Sequence, residues 1–261
     1  MQKTDMRPPR PQIVLNDLLI ALSLLTRLPV PQADWSNTER PPARGAWAYP
    51  LAGLVVGCLA ALTGLVSGAL GLSPAVVAGL MLAVLSVTTG AMHDDGLADC
   101  ADGFWGGWDK ARRLEIMKDS AIGAYGVLAL IIVFALKWGS LSALLAHPSA
   151  TVWIILAPAI LSRAAMVAVM ELLPNARGDG LSSKTGTPGK PAMWVAIALG
   201  VGAALVAPAN GFVLIAVAAL SAGVVGLIAT RKIGGQTGDV LGATQVITEV
   251  ALLITLSAAP S

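Results

Sequence analysis

Ile122-Gly123-Ala124-Tyr125-Gly126-Val127-Leu128-Ala129-Leu130-Ile131-Ile132-Val133-Phe134-Ala135-Leu136-Lys137-Trp138-Gly139-Ser140-Leu141-Ser142-Ala143-Leu144-Leu145-Ala146 carries a single charged side chain, Lys137. A helix needs about 20 predominantly apolar residues to cross the roughly 30 Å hydrocarbon core of a bilayer, and this stretch supplies them. Six further stretches have the same character, near 46–70, 74–92, 151–173, 192–208, 212–230 and 240–259. The apolar segment 13–28 is shorter and holds Asp17 and Arg27 near its ends, which suits a re-entrant or interfacial position. The sequence thus predicts an all-α polytopic membrane protein with about seven transmembrane helices plus a short amino-terminal re-entrant or interfacial helix.

Composition supports this. Of 261 residues, 56% are hydrophobic and 12% charged, and the mean hydropathy is +0.75; a soluble domain has about a quarter charged residues. Gly and Pro fall inside the apolar runs, where bundled membrane helices tolerate them because neighbours re-satisfy the freed backbone groups. Gly53-x3-Gly57 and Gly64-x3-Gly68 share one span at a spacing that lets helix backbones approach, and ordinary helix packing explains them. The net charge of +2 is small and its basic residues are scattered, so no nucleic-acid footprint is present. Cys58 and Cys100 belong to no disulfide or metal pattern. No small-residue cleavage site follows the basic residues Lys3, Arg7 and Arg10, so the amino terminus is expected to stay in the mature chain.

Apart from a few intramembrane residues, charges fall in five places: 3–10, 34–44, 94–119, 177–190 and 231–239. Pairs of spans separate successive members of the last four, which puts those four on one face. The opposite connections, Gly71 to Ser73, His147 to Ala150 and Ala209 to Gly211, contain no Lys, Arg, Asp or Glu. The positive-inside rule makes the charged face cytoplasmic. Residues 1–261 read as a single integral membrane catalytic domain, with 93–121 as its cytoplasmic acidic motif loop.

That segment opens with His93-Asp94-Asp95-Gly96-Leu97-Ala98-Asp99-Cys100-Ala101-Asp102-Gly103. On a helix Asp95, Asp99 and Asp102 share one face, where their mutual repulsion calls for a cation. Hard carboxylate oxygens suit Mg²⁺ or Mn²⁺ held between protein and substrate phosphates. A solvated acidic surface is the plainer alternative. The following Arg112-Arg113-Leu114-Glu115-Ile116-Met117-Lys118-Asp119 offers acids and bases together, either to a metal-bridged diphosphate or as the charge pairs of an interfacial helix. Gly234, Gly235, Gly238 and Asp239 form a Gly-rich turn before the last span; its backbone N–H groups would hold phosphate, and Asp239 would add a metal ligand or cap the helix. His93 reads equally as ligand, base or hydrogen-bonding spacer. Lys137, Arg163 and Glu249 lie within spans, where isolated charges are costly, so each requires a partner.

Five blocks, in order and spacing, resemble the cobalamin synthase family, the adenosylcobinamide-GDP ribazoletransferases. They are Thr26-Arg27-Leu28-Pro29-Val30-Pro31; Tyr49-Pro50-Leu51-x-Gly53; His93-x-Asp95-Gly96-Leu97-Ala98-Asp99-x2-Asp102-Gly103; Arg113 through Gly126; and Gly234-Gly235-x-Thr237-Gly238-Asp239-x-Leu241-Gly242-Ala243. Position 94 departs from the family, so Asp94 receives no catalytic role, and Arg177-Gly178-Asp179-Gly180-Leu181 matches only loosely. The resemblance implies a reaction of adenosylcobinamide-GDP with α-ribazole or its 5′-phosphate, giving adenosylcobalamin or its phosphate and GMP, with Mg²⁺ required, at the bacterial inner membrane. In that scheme Asp95, Asp99 and Asp102 hold the metal, Arg113 and Lys118 neutralise developing charge, and Glu115, Asp119 or His93 accepts the proton of the ribazole hydroxyl. The protein's partners are then these substrates and membrane lipid; homo-oligomerisation stays open.

Two rival readings use the same residues. Asp99-x2-Asp102-Gly103-x2-Gly106 echoes the opening of the CDP-alcohol phosphotransferases, but Gly107 stands where an Arg is expected. A transporter would route its substrate past Lys137, Arg163 or Glu249, yet the polar residues gather on one face and no repeat relates the two halves.

Overall fold

The structure, a computed structural model, describes residues 10–31, 41–147, 152–177, 186–207 and 209–258. Among these residues the regular structure is helical: α1 (Arg10–Leu25), a 3-10 turn (Pro42–Ala48) running into α2 (Tyr49–Ala69), α3 (Pro74–Thr89), α4 (Met92–Gly106), α5 (Lys110–Ile116), α6 (Ala124–Leu145), α7 (Trp153–Leu172), α8 (Lys190–Val206), α9 (Gly211–Ile233) and α10 (Gly238–Ala258). The sole extended pairing among them is an isolated parallel bridge between Asn175 and Gln236.

Five helices are long and apolar enough to span a bilayer: Pro42–Ala69, Ala124–Leu145, Trp153–Leu172, Gly211–Ile233 and Gly238–Ala258. The chain is a multi-pass membrane protein of all-α type. Two of the seven expected spans fall short of the roughly 20 residues that a crossing needs. α8 has 17 residues. α3 has 16, and with α4 it forms a pair bent by 87°.

The bend has a local cause. Gly90 (φ 63) and Ala91 (φ 54) both adopt the left-handed conformation, and the amides of Gly90 and Ala91 donate to the carbonyls of Val87 and Ser86. This is a Schellman closure that satisfies the last carbonyls of α3. Gly90 also packs against Arg27, whose backbone N–H donates to the Thr88 carbonyl at 2.7 Å, tying the end of α1 to the bend.

Helices α7 and α10 form the centre, with α2, α8, α9, α6 and α4 around them. Small residues set the close crossings. A Cβ at Gly53 would strike the Ala159 carbonyl, and Gly57 faces Leu156 and Ala159, so the Gly53/Gly57 pair serves α2–α7 packing as expected. Outward-facing Leu128, Ile131, Ile132 and Leu136 on α6, with Leu220, Val224 and Leu227 on α9, are exposed large apolar side chains. They suit a protein whose solvent is hydrocarbon.

The acidic segment 93–121 is not an open loop. Its first half is α4, and His93, Asp94, Leu97, Ala98 and Cys100 are buried in the bundle. The helix runs alongside α10 and crosses it on two glycines. A Cβ on Gly96 would lie 2.8 Å from the Asp239 carbonyl oxygen, and one on Gly242 would lie 3.1 Å from Cα of His93. Gly96→Ala is therefore expected to destabilise the fold by about 1–3 kcal/mol, the usual cost of overpacking. Gly139→Ala on α6, where nothing lies within 4 Å, should leave the thermal midpoint in lipid unchanged or raise it.

Candidate active site

The Gly96–Gly242 crossing brings the middle of α4 to the start of α10. Asp95 and Asp99 thereby come within electrostatic range of Asp239, a residue far away in sequence. Asp239 lies in the first turn of α10, where a carboxylate is favoured by the helix dipole. Thr237 precedes that turn; its hydroxyl accepts from the Val240 amide at 3.3 Å and donates to Asp239 Oδ2 at 3.2 Å.

Arg177 completes the group. Its Nη1 stands 3.2 Å from Asp239 Oδ2, and its Nη2 donates to the Leu114 carbonyl at 3.3 Å. Arg177 Nε is buried with no hydrogen-bond partner among the described residues. The segment is held there by reciprocal backbone bonds: Gln236 N donates to Pro174 O and Ala176 N to Gln236 O, each at 2.8 Å. Sequence reasoning undervalued Arg177, because its motif was a loose match and its partner lies some sixty residues on. The rest of that motif, 178–181, lies outside the described residues.

Asp102 is placed differently from the other two aspartates of its motif. Its Oδ2 accepts from Gly123 N at 2.7 Å and its Oδ1 from Gly126 N at 2.9 Å. It thus caps α6, and any Cβ on Gly123 or Gly126 would collide with its carboxylate. This explains the Gly123-Ala124-Tyr125-Gly126 run: the small residues admit the aspartate. Each oxygen keeps a lone pair, so the cap does not remove Asp102 from the metal's reach, but its first duty is structural.

The Gly-rich turn has conformational duties of its own. Gly234 (φ 81) closes α9 in the left-handed conformation, its amide donating to Thr230 O. A Cβ on Gly235 would strike the Pro174 carbonyl. These two glycines serve chain geometry; Gly238 is exposed, with open space around it.

Arg113 is likewise committed to backbone. It donates from Nε to Gly107 O at 2.9 Å, from Nη1 to Lys232 O at 2.9 Å and from Nη2 to Trp108 O at 3.0 Å. Lys232 reciprocates by donating to Phe104 O at 2.9 Å. These bonds staple the end of α4 and the start of α5 to the end of α9. Glu115, Lys118 and Asp119 line a separate open cleft with Arg112 and Ile116; there Glu115 pairs with Arg112 at 2.8 Å, both largely exposed, and Asp119 accepts from Ala121 N. Neither Asp95, Asp99 nor Asp239 lines that cleft. His93 is buried in the bundle, where it lines a small cavity with Asp94, Lys137, Arg163 and Glu249, and none of Asp95, Asp99 and Asp239 lines that cavity. The intramembrane charges thus find partners, Lys137 and Glu249 meeting at 2.6 Å.

No three His, Cys, Asp or Glu side chains among the described residues are already drawn together as a metal-ligand cluster. The donor chemistry nonetheless fits a hard divalent cation: Asp95, Asp99 and Asp239 repel one another and supply only oxygen.

A family model described as cobalamin-5-phosphate synthase matches residues 17–257. The chain belongs to that family. Among curated proteins, the adenosylcobinamide-GDP ribazoletransferase of Bradyrhizobium diazoefficiens is 44% identical over 253 residues, covering 94% of each chain. Its namesake in Sinorhizobium medicae is 43% identical over 94% of this chain and 97% of its own, and that of Brucella ovis 39% identical over 93% and 96%. No solved structure matches. The match runs from within α1 to the last turn of α10, so the two-helix site and the cap at Asp102 fall inside the family's matched region.

Substitution separates the two kinds of aspartate. Asp102→Ala strands one buried and one half-buried amide and should lower stability by about 1–3 kcal/mol. Asp99→Asn relieves a like-charge interaction and should leave the midpoint of metal-free protein unchanged or raised. Thermal unfolding in lipid nanodiscs measures both.

Proposed function

We propose that this chain is an adenosylcobinamide-GDP ribazoletransferase. It joins adenosylcobinamide-GDP to α-ribazole or α-ribazole 5′-phosphate, releases GMP and so closes the nucleotide loop of cobalamin. The observation that carries the reading, beside family membership, is the convergence of Asp95 and Asp99 on α4 with Asp239 on α10, with Arg177 against Asp239. The chemistry needs little else, because phosphoryl transfer is catalysed mainly by positioning and charge stabilisation.

Asp95, Asp99 and Asp239 would hold Mg²⁺, with Asp102 in support through its remaining lone pairs. The ion, when bound, neutralises the diphosphate and stabilises the departing GMP. Arg177, with an unused buried N–H, donates to a phosphate oxygen and takes the part that sequence reasoning gave to Arg113. The ribazole hydroxyl oxygen bonds to the phosphorus that carries the corrinoid alcohol, the bond from that phosphorus to the bridging oxygen breaks, and GMP leaves. Glu115 or Asp119, in the open cleft next to the Leu114 carbonyl that Arg177 binds, would accept the hydroxyl proton, with Lys118 of the same cleft adding positive charge. His93 has no part in this step, because its ring is buried on the far side of α4. The site faces the cytoplasm of the bacterial inner membrane, in keeping with the charge distribution of the connecting segments.

Purified protein in lipid, given adenosylcobinamide-GDP and α-ribazole phosphate, should release GMP and form the joined corrinoid with Mg²⁺ and not with chelator. Asn at position 95, 99 or 239 should lower turnover by about 10²-fold or more, the scale on which single charge-stabilising groups act. Turnover that survives all three changes with its Mg²⁺ dependence intact would refute the metal assignment.

A further inference from the structure

Below the site, α4 has a second polar face. His93 and Asp94 line a small cavity of about 20 Å³, which Lys137 of α6, Arg163 of α7 and Gln245 and Glu249 of α10 also line. Lys137 Nζ is 2.6 Å from Glu249 Oε2. Gln245 Nε2 lies 3.1 Å from Glu249 Oε1 and 3.1 Å from Ser162 Oγ, which links α10 to α7. Arg163 Nη1 donates to its own helix, at Ala159 O. His93 Nε2 and Arg163 Nε are buried with no partner among the described residues.

Such a cluster is a poor way to hold helices together. Well-packed apolar residues do so without desolvating charges, and replacing buried ion pairs by them is often neutral or favourable. What an ion pair adds is register, because its N···O contact is met at one setting of the two helices, whereas a leucine seam tolerates sliding. Register matters here. Glu249 lies ten residues beyond Asp239 on α10, about 15 Å along one rigid helix, and a slip of one turn would displace Asp239 by about 5.4 Å. Magnesium ligands must stand at about 2.0–2.1 Å.

We infer that Lys137 and Glu249 are positioning residues for the phosphoryl-transfer site: their buried pair sets α10 in register against α6, and because Asp102 fixes α4 to the start of α6, the pair aligns Asp239 with Asp95 and Asp99. The inference rests on the metal-site reading above for its consequence, but the register itself is measurable without metal or substrate.

The test uses full-length protein in nanodiscs, with exposed Cys58 changed to Ser and spin labels on Gly106→Cys in α4 and Gly238→Cys in α10, both positions with room for a side chain. Distances between labels are read by electron spin resonance in metal-free protein. Unlabelled counterparts of each variant give kcat and the Mg²⁺ concentration for half-maximal rate. Glu249→Gln, and Lys137→Met combined with Glu249→Met, should each broaden or shift the distance distribution and raise the Mg²⁺ requirement about tenfold. The exchanged pair, Lys137→Glu with Glu249→Lys, should restore both toward the parent. A folded double-Met variant with parental distances and Mg²⁺ requirement overturns the inference. So does failure of the double-Met variant to fold, which would assign the pair to the fold alone. A distance that responds as expected in a protein whose turnover ignores Mg²⁺ would instead remove the metal reading and leave the register intact.

Discussion

The crossing of α4 and α10 on Gly96 and Gly242 is the contact from which the rest of the site follows. Without side chains at those two positions the backbones come close enough for Asp239 to sit over the middle of α4. Three carboxylates from two distant segments then come within electrostatic range of one another. Everything around the crossing restrains it: the left-handed turn at Gly90 and Ala91 aims α4, Asp102 fixes α4 to the start of α6, and Lys232 holds its far end.

Charge is handled in two layers. Near the start of α10, acidic groups are gathered in excess, with Arg177 as a close counter-charge; such a group gains from binding a cation and a phosphate. One level deeper, Lys137, Arg163, Asp94 and Glu249 bring equal numbers of acids and bases together around one small cavity. A balanced buried cluster has no need of a ligand, and its value lies in geometry. The same short helix, α4, serves both layers from opposite faces. This accounts for a polar segment being drawn into an apolar bundle.

Several motif residues have structural first duties. Arg113 spends its donors on three carbonyls, and Gly234 and Gly235 answer to backbone conformation and to Pro174. A motif block records every constraint on a segment together, so residues that build the site and residues that hold its walls look alike in a linear pattern.

The sequence by itself determined the solvent and the class of fold. The run 122–146 and its companions are too apolar for water, and a chain in hydrocarbon must close its hydrogen bonds within helices. It also determined which side bears the charges and that Asp95 and Asp99 share a helical face, since both follow from local spacing. Tertiary structure alone decided that Asp239 and Arg177 join them, that Asp102 caps α6, that His93 turns inward and that Lys137 meets Glu249. Each of these depends on the approach of segments distant in the chain, across crossings set by glycines whose local sequence gives no sign of what they will touch.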